Sequence, residues 1–154
     1  MTDPEDKKST QKVPELPSND VQRLWFATLR KEWNSLVVLP AHAKGSGTAI
    51  GRALAQVASL HKDSAIKLVS AEGADLAGAS RLIIDMTSHV ASGGMVIVVL
   101  DSVLSNPAGI PVALAADAVL LCVQLEDADV ESARRTVEMI GESRFVGAVT
   151  LAMR

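Results

Sequence analysis

The sequence predicts an α/β domain with three layers, in which a mainly parallel sheet of about five strands lies between two layers of helices. Short apolar runs alternate along the chain with longer segments of helical periodicity. The apolar runs contain few polar residues, which is typical of parallel strands that are covered on both faces. At 154 residues the chain is long enough for one domain with a substantial core.

Each predicted element follows from one of these two patterns. Strands are expected at residues 35–39, 66–69, 95–100, 118–123 and 145–151. Helices are expected at residues 20–33, 48–61, 75–89, 107–115 and 127–140. In the first, third and fifth helices, the 3.6-residue periodicity places Leu29, Leu76 and Val130 among the residues that face the core.

The beginning of the chain differs in composition from the rest. Residues 1–19 are rich in Pro, Lys, Asp and Ser and contain almost no apolar side chains. Such a segment cannot offset the entropy that is lost on ordering, so it is predicted to be a flexible tail, with a docking peptide as the alternative. Residues 20–154 are predicted to form a single domain.

Composition and charge exclude several classes of protein. The net charge of −3 gives no basic patch, so nucleic acid is not an expected partner. The single cysteine, Cys122, lies in an apolar run and is expected to be a buried hydrophobic residue. Without a disulfide framework, a secretory signal or an apolar run long enough to span a membrane, the chain is expected in the cytoplasm.

The loop after the first predicted strand has the position and the small residues of a phosphate-binding loop. It runs Lys44-Gly45-Ser46-Gly47-Thr48. Such a loop cradles phosphates with backbone N–H groups and carries a lysine directly before the Ser or Thr that binds Mg²⁺. Here Gly47 stands at the lysine position, and only Thr48 keeps its residue type. Two interpretations of Thr48 stay open, a Mg²⁺ ligand and a helix N-cap.

Acidic candidates follow the next two strands. Glu72 comes after the second strand and Asp101 directly after the third. Because ligands of parallel sheets bind beyond the carboxyl ends of the strands, these carboxylates are expected near the loop, as a catalytic base or as Mg²⁺ ligands. For Asp101 the alternative is a cap on the loop that follows it. A separate acidic group, expected to form the first turn of the last helix rather than a cation site, consists of Glu126, Asp127, Asp129 and Glu131.

Four stretches carry a resemblance to a known family. They are residues 24–30, 36–55, 66–72 and 95–123, of which 116–123 is the best local match. Their order and spacing resemble the MinD/ParA-type P-loop ATPases and, within them, the cytoplasmic kinase domain of the bacterial tyrosine autokinases that control capsule and exopolysaccharide synthesis. The resemblance implies a P-loop NTPase-like fold and a site for ATP with Mg²⁺. It also implies that the partner is the cytoplasmic end of an inner-membrane chain-length regulator.

The same resemblance implies self-assembly. In the family, the helix before the core carries the oligomerisation motif Glu-x-x-Arg-x-x-Arg. The matching positions here are Leu24, Ala27 and Arg30, so only Arg30 keeps its type. A homo-oligomer is therefore a second expectation for the partners of this chain.

The departures from the family pattern fall on its chemistry. Gly47 replaces the loop lysine, and Ser70 and Glu72 replace the two aspartates of the second motif. Leu151 stands at the position of the adenine-reading Asn, and the chain contains no tyrosine that could be phosphorylated. Of the acidic landmarks, Asp101 alone is unaltered.

The sequence therefore predicts a catalytically inactive homologue without a cofactor, which regulates or scaffolds exopolysaccharide or capsule production. It would be cytoplasmic and held at the inner membrane through its partner. One alternative is an active kinase or ATPase with a rearranged site that uses Lys44, Thr48, Glu72 and Asp101. Another is a MinD/ParA-like positioning protein.

Overall fold

The centre of the fold is a sheet of five strands, all parallel, in the order β2-β3-β1-β4-β5. The computed structural model describes residues 19–124 and 130–151, without the side chain of Leu151. The strands are β1 (Ser35–Pro40), β2 (Ile66–Ser70), β3 (Met95–Val99), β4 (Ala118–Gln124) and β5 (Phe145–Leu151). Each predicted strand agrees with the structure to within one residue at either end.

Helices cover both faces of this sheet. In the described residues they are α1 (Asn19–Thr28), α2 (Thr48–His61), α3 (Leu76–Ala91), α4 (Gly109–Ala115) and α5 (Val130–Ile140), with a 3₁₀ turn at Glu142–Arg144. The expected three-layer α/β/α architecture is thereby confirmed. Alternate side chains of β1 enter different cores because successive side chains of a strand point to opposite faces.

Two hydrophobic cores correspond to the two faces. On one face, Leu36 and Val38 of β1 pack with Trp25 of α1 and Leu54 of α2. The other core joins β1 to α3, α4 and α5 through Val37, Leu39, Met86, Val112 and Ile140. The strands β1 and β3 are buried along their whole length, as the continuously apolar runs predict. Because helices cover both faces of the sheet, a binding site is expected at the ends of the strands.

The strand β2 departs from this expectation. It pairs only with β3 among the described residues and lies at one edge of the sheet. Its Lys67 and Leu68 are exposed and its other residues are exposed or half-buried. The prediction of strands covered on both faces is wrong here, because an edge strand lacks one neighbour and part of the helix cover.

Helix α1 is shorter than predicted. It ends at Thr28 rather than Trp33. The Thr28 hydroxyl donates to the Trp25 carbonyl at 2.7 Å, and the Trp33 indole N–H donates to Thr28 Oγ1 at 3.2 Å. These bonds hold a turn that returns Trp33 to the core, where it is 5% exposed. An uninterrupted helix could not bring Trp33 back to this position.

Three residues predicted to face the core do not. Leu29 is 38% exposed, Leu76 is 63% exposed and Val130 is 81% exposed. Leu29 lies in the turn after α1. The other two are the first residues of their helices, and the burial starts one turn later, at Ala79 in α3 and Ala133 in α5. The periodicity identifies the correct face of each helix but not the point at which that face reaches the sheet.

Helix α4 begins later than predicted, at Gly109 instead of Pro107. The side-chain oxygen of Asn106 accepts from the Ala108 N–H at 3.2 Å, which forms a turn before the helix.

In α5, Glu131 lies in the first turn and forms an ion pair with Arg134.

Some predictions fall outside the described residues. These are the flexible tail, apart from Asn19, which is the first residue of α1, and the acidic residues Glu126, Asp127 and Asp129 at the expected start of the last helix. In the part of the chain that the structure describes, no helix has the length and apolar character needed to cross a membrane.

Candidate functional site

The candidate site lies at the carboxyl ends of β1, β2 and β3. The loop that joins β1 to α2 brings Ser46 and Thr48 to this edge, and Glu72 and Asp101 arrive in the loops that follow β2 and β3. The residues that the sequence predicts at this edge, Lys44 to Thr48, Glu72 and Asp101, all lie on the segments that meet there. Parallel strand order is the cause, since it places the carboxyl ends together.

The N–H groups of the loop after β1 are largely bonded within the protein. The Lys44 N–H donates to His42 Nδ1 at 3.1 Å, and the Gly45 N–H donates to the His42 carbonyl at 2.9 Å. The Thr48 N–H donates to Ser46 Oγ at 3.1 Å. A phosphate cradle needs such groups free and aimed at the ligand. Three of the predicted donors are therefore already occupied.

Gly47, at the lysine position of the loop, lies against β1. It is buried, and a Cβ atom at this position would lie 2.8 Å from Val38 Cγ1 of β1. Contacts below 3.0 Å require a shift of the surrounding atoms. The start of α2 thus packs so closely on β1 that any longer residue at this position would require the loop to move.

Glu72 contacts the two hydroxyl groups at the N-terminus of α2. Ser46 Oγ donates to Glu72 Oε2 at 3.0 Å, and Thr48 Oγ1 donates to Glu72 Oε1 at 3.4 Å. The two hydroxyl oxygens lie 3.0 Å apart. The N-cap residue of α2 is Gly47, so the interpretation of Thr48 as the N-cap is wrong, and Gly47 has no side chain to bond the helix. The carboxylate therefore supplies a negative charge where a helix N-terminus favours an anion.

Asp101 is bonded to backbone and amide groups of its own surroundings. Its Oδ2 atom accepts from the Gly73 N–H at 2.6 Å and from Asn106 Nδ2 at 3.0 Å. Asn106 Nδ2 also donates to the Ala74 carbonyl at 3.1 Å. Asp101 thus fixes the loop after β2, the same loop that carries Glu72. Through Asn106, Asp101 also binds the loop that follows it, as the sequence-based alternative of a loop cap predicts.

Two predicted cations lie apart from this cluster. Lys44 is exposed, and within the described residues its side chain has no hydrogen bond or ion pair. Arg30 follows α1, next to Lys31, whose amine donates to the Ser143 carbonyl just before β5. That contact places Arg30 near the amino ends of the strands, whereas the loop lies at their carboxyl ends.

Sequence reasoning missed Asn106 and His42 as parts of the site. Asn106 precedes Pro107, and an Asn-Pro pair is a turn signal that could have indicated its role. No comparable signal indicates that His42 accepts the Lys44 N–H. Within residues 19–124 and 130–151, no group of three or more His, Cys, Asp or Glu side chains could hold a metal ion.

Neither models of protein families nor curated protein sequences match this chain. The likeness to the kinase family therefore stays an expectation from the sequence motifs.

The residues present do not fit a bound ATP–Mg²⁺ of the P-loop type. The loop N–H groups of Lys44, Gly45 and Thr48 have internal acceptors. Gly47 supplies no cation and lies against β1, and the Glu72 carboxylate would repel the phosphate oxygens from the N-terminus of α2. The arrangement ties the loop to Glu72, and the Lys44 side chain, the cation of this loop, does not contact the cluster.

Proposed function

We propose that this chain is a catalytically inactive relative of the cytoplasmic domain of bacterial tyrosine autokinases. It would act as a regulatory or scaffolding component of exopolysaccharide or capsule biosynthesis and export. The family and the pathway rest on the four resembling stretches of sequence. The inactivity is supported by one arrangement, the Glu72 carboxylate against the hydroxyl groups of Ser46 and Thr48.

The physical argument concerns charge. Phosphoryl transfer depends on positioning and on neutralising the β- and γ-phosphate oxygens, and a cationic side chain there is worth about 10³-fold or more in rate. In this chain the lysine position is Gly47, and the nearest charge bonded to the loop is that of Glu72. The missing lysine and the Glu72 carboxylate both weaken the binding of the same phosphate, so neither change compensates for the other.

A scaffold does not need this chemistry. The partner that the resemblance implies is the cytoplasmic end of an inner-membrane chain-length regulator, which would hold the chain at the inner face of that membrane. A binding surface for such a partner can persist on an α/β/α fold whose nucleotide site is closed, because function on a shared fold depends on local sites.

Calorimetry with purified protein tests the proposal. We expect no binding of ATP–Mg²⁺, and binding of a soluble fragment of the chain-length regulator's cytoplasmic end in the absence of nucleotide. Micromolar binding of ATP–Mg²⁺ would remove the main support for inactivity. ATP hydrolysis that is lost in both Lys44→Ala and Asp101→Ala would instead support the rearranged enzyme.

A further inference from the structure

A cleft opens at the amino ends of β1 and β4, at the opposite end of these strands from the loop that leads to α2. It lies between the last turns of α3 and the end of α4, and its volume is about 150 Å³. Its lining consists of Ser35, Met86, Thr87, Val90, Ala115 and Asp117. None of these residues belongs to the candidate nucleotide site.

Asp117 is fixed at this cleft by bonds to the start of β1. Its Oδ2 atom accepts from the Asn34 N–H at 2.8 Å and from the Ser35 N–H at 3.2 Å. In return, the Asp117 N–H donates to Ser35 Oγ at 2.8 Å. Because these bonds already order the carboxylate, a ligand that binds it loses little side-chain entropy.

The Asp117 carboxylate has no counter-ion within the described residues. It is exposed, and none of the ion pairs found there includes it. The guanidinium of Arg144 donates to the neighbouring Ala116 carbonyl at 3.3 Å and forms no ion pair with Asp117. A carboxylate that is held in place without a cation favours a ligand with a positive charge, since charge-assisted hydrogen bonds are the stronger ones.

Three hydrogen-bond acceptors of the cleft have capacity left. Asp117 Oδ1 accepts no bond from the described residues, and the Thr87 hydroxyl has no partner among them. Ser35 Oγ accepts one bond and keeps a second lone pair. A primary ammonium group has three donors and no acceptor, whereas a guanidinium has five donors in one plane. Three acceptors therefore match an ammonium group better than a guanidinium.

The rest of the lining suits an apolar stem. Met86 and Val90 lie four residues apart in α3 and so share one face of the helix, and Ala115 adds a methyl group from the end of α4. A cavity of about 150 Å³ accommodates a molecule of the size of benzene. Pockets for drug-sized ligands are larger. The cleft therefore has the size for one short alkyl chain.

We propose that this cleft binds a primary ammonium group on an apolar stem, which is the chemistry of a lysine side chain and of a small alkylamine. The ammonium donates to Asp117 Oδ1, Ser35 Oγ and Thr87 Oγ1, and the stem packs on Met86 and Val90. The cleft is remote from the loop that leads to α2, so the proposal goes beyond the proposed function and does not depend on it.

Titration of the full chain with n-butylamine at neutral pH, followed by NMR of the backbone amides, tests the proposal. We expect the amides of the cleft to shift with a millimolar dissociation constant. The uncharged n-butanol has the same stem and should bind about tenfold more weakly, because it cannot form the charge-assisted bond.

Asp117→Asn should weaken the binding of n-butylamine about tenfold for the same reason. It keeps an oxygen that can accept from the two backbone N–H groups. The matched control is Asp85→Asn, which removes an exposed carboxylate of α3 that does not line the cleft, and it should bind like the wild type.

Two short peptides distinguish the sources of the ammonium group. One has a single lysine between alanines, and the other has norleucine in place of the lysine. If the lysine peptide binds at least as tightly as n-butylamine, the ligand is a lysine of a partner protein. If it binds more weakly, the ligand is a small amine.

The proposal is overturned if n-butylamine and n-butanol cause equal shifts, or if Asp117→Asn binds n-butylamine like the wild type. An absence of shifts in the cleft at tens of millimolar n-butylamine has the same meaning. If Asp117→Asn does not fold, Ala115→Leu decides, because the larger side chain fills the cleft and should abolish binding. Its control is Ala77→Leu, at an exposed position of α3 outside the cleft.

Discussion

Glu72 places a negative charge at the N-terminus of α2, where the N-cap residue has no side chain. The N-cap residue Gly47 makes no side-chain bond to the helix, whereas the Glu72 carboxylate binds the hydroxyl groups of Ser46 and Thr48. A carboxylate near a helix N-terminus stabilises it through the aligned peptide dipoles. The residue that replaces a catalytic aspartate of the resembling family thus has a structural role in this chain.

Replacing Glu72 by alanine should lower the free energy of unfolding by about 1 kcal/mol, because the two hydroxyl groups lose their acceptor and α2 loses its terminal charge. Urea denaturation measures the change. Glu32→Ala is the matched control, since Glu32 is exposed and its side chain has no partner among the described residues; its effect should stay within about 0.5 kcal/mol. Equal effects of the two variants would contradict a stabilising role of the Glu72 carboxylate.

Cys122 makes stability depend on pH in the alkaline range. Burial raises the pKa of its thiol from 9.0 to about 12. Between these values the unfolded chain loses the proton while the folded chain keeps it, so the unfolded state binds fewer protons and stability falls as the pH rises. Below the lower value both states are protonated and the contribution is constant.

Urea denaturation at pH 8 and pH 10 should therefore show a loss of about 1.4 kcal/mol that is due to this thiol. Cys122→Ala is the control, because it lacks the ionising group and should lose correspondingly less stability over the same interval. If the wild type and Cys122→Ala lose the same amount, the thiol is not protected by the fold.

At the scale of the elements, the contact between α2 and β3 depends on a glycine. A Cβ atom on Gly51 would lie 2.6 Å from Val99 Cγ2 and 3.5 Å from Leu68 Cδ1. By helix propensity alone, Gly51 weakens α2, since glycine is a poor helix former. The structure gives it a positive role, because the helix can approach the sheet this closely only without a side chain.

Gly51→Ala should consequently destabilise the protein by about 1 to 2 kcal/mol, since overpacking outweighs the gain of about 1 kcal/mol in helix propensity. Denaturation of the single variant and of the same change in a Val99→Ala background separates the two terms. The cost should shrink when Val99 is shortened. A Gly51→Ala protein that is more stable than the wild type would show that the packing is looser than the distance indicates.

At the scale of the whole molecule, sequence patterns predicted the layers well and the site only in part. Buried strands such as β3 are read directly from continuous apolar runs, because both of their faces are covered. Positions just after the strands were also correctly grouped at one edge. The ends of the helices are predicted less accurately. The turn that returns Trp33 to the core depends on bonds with Thr28 and Trp25, which the sequence pattern does not show.

The contacts within the site could not be predicted, for a physical reason. Glu72 follows β2, which is separated from β1 by β3, so its bond to Thr48 depends on how two loops reach across an intervening strand. The bond from the Gly73 N–H to Asp101 also joins two loops, which here follow the neighbouring strands β2 and β3. Side-chain type and spacing fix which residues approach the edge, whereas loop geometry decides which of them bind each other.

The central position of β1 has a consequence for how the chain folds during synthesis. Its residues pair with β3 and β4, and Leu36 lies opposite Ala118, 82 positions later in the chain. At about 5 to 20 residues per second, the ribosome needs roughly 4 to 16 s to make the intervening chain. Throughout that interval β1, which is buried along its whole length in the folded domain, has no β4 with which to pair. The sheet can therefore be completed only late in synthesis. Until then the apolar side chains of β1 need shielding from solvent.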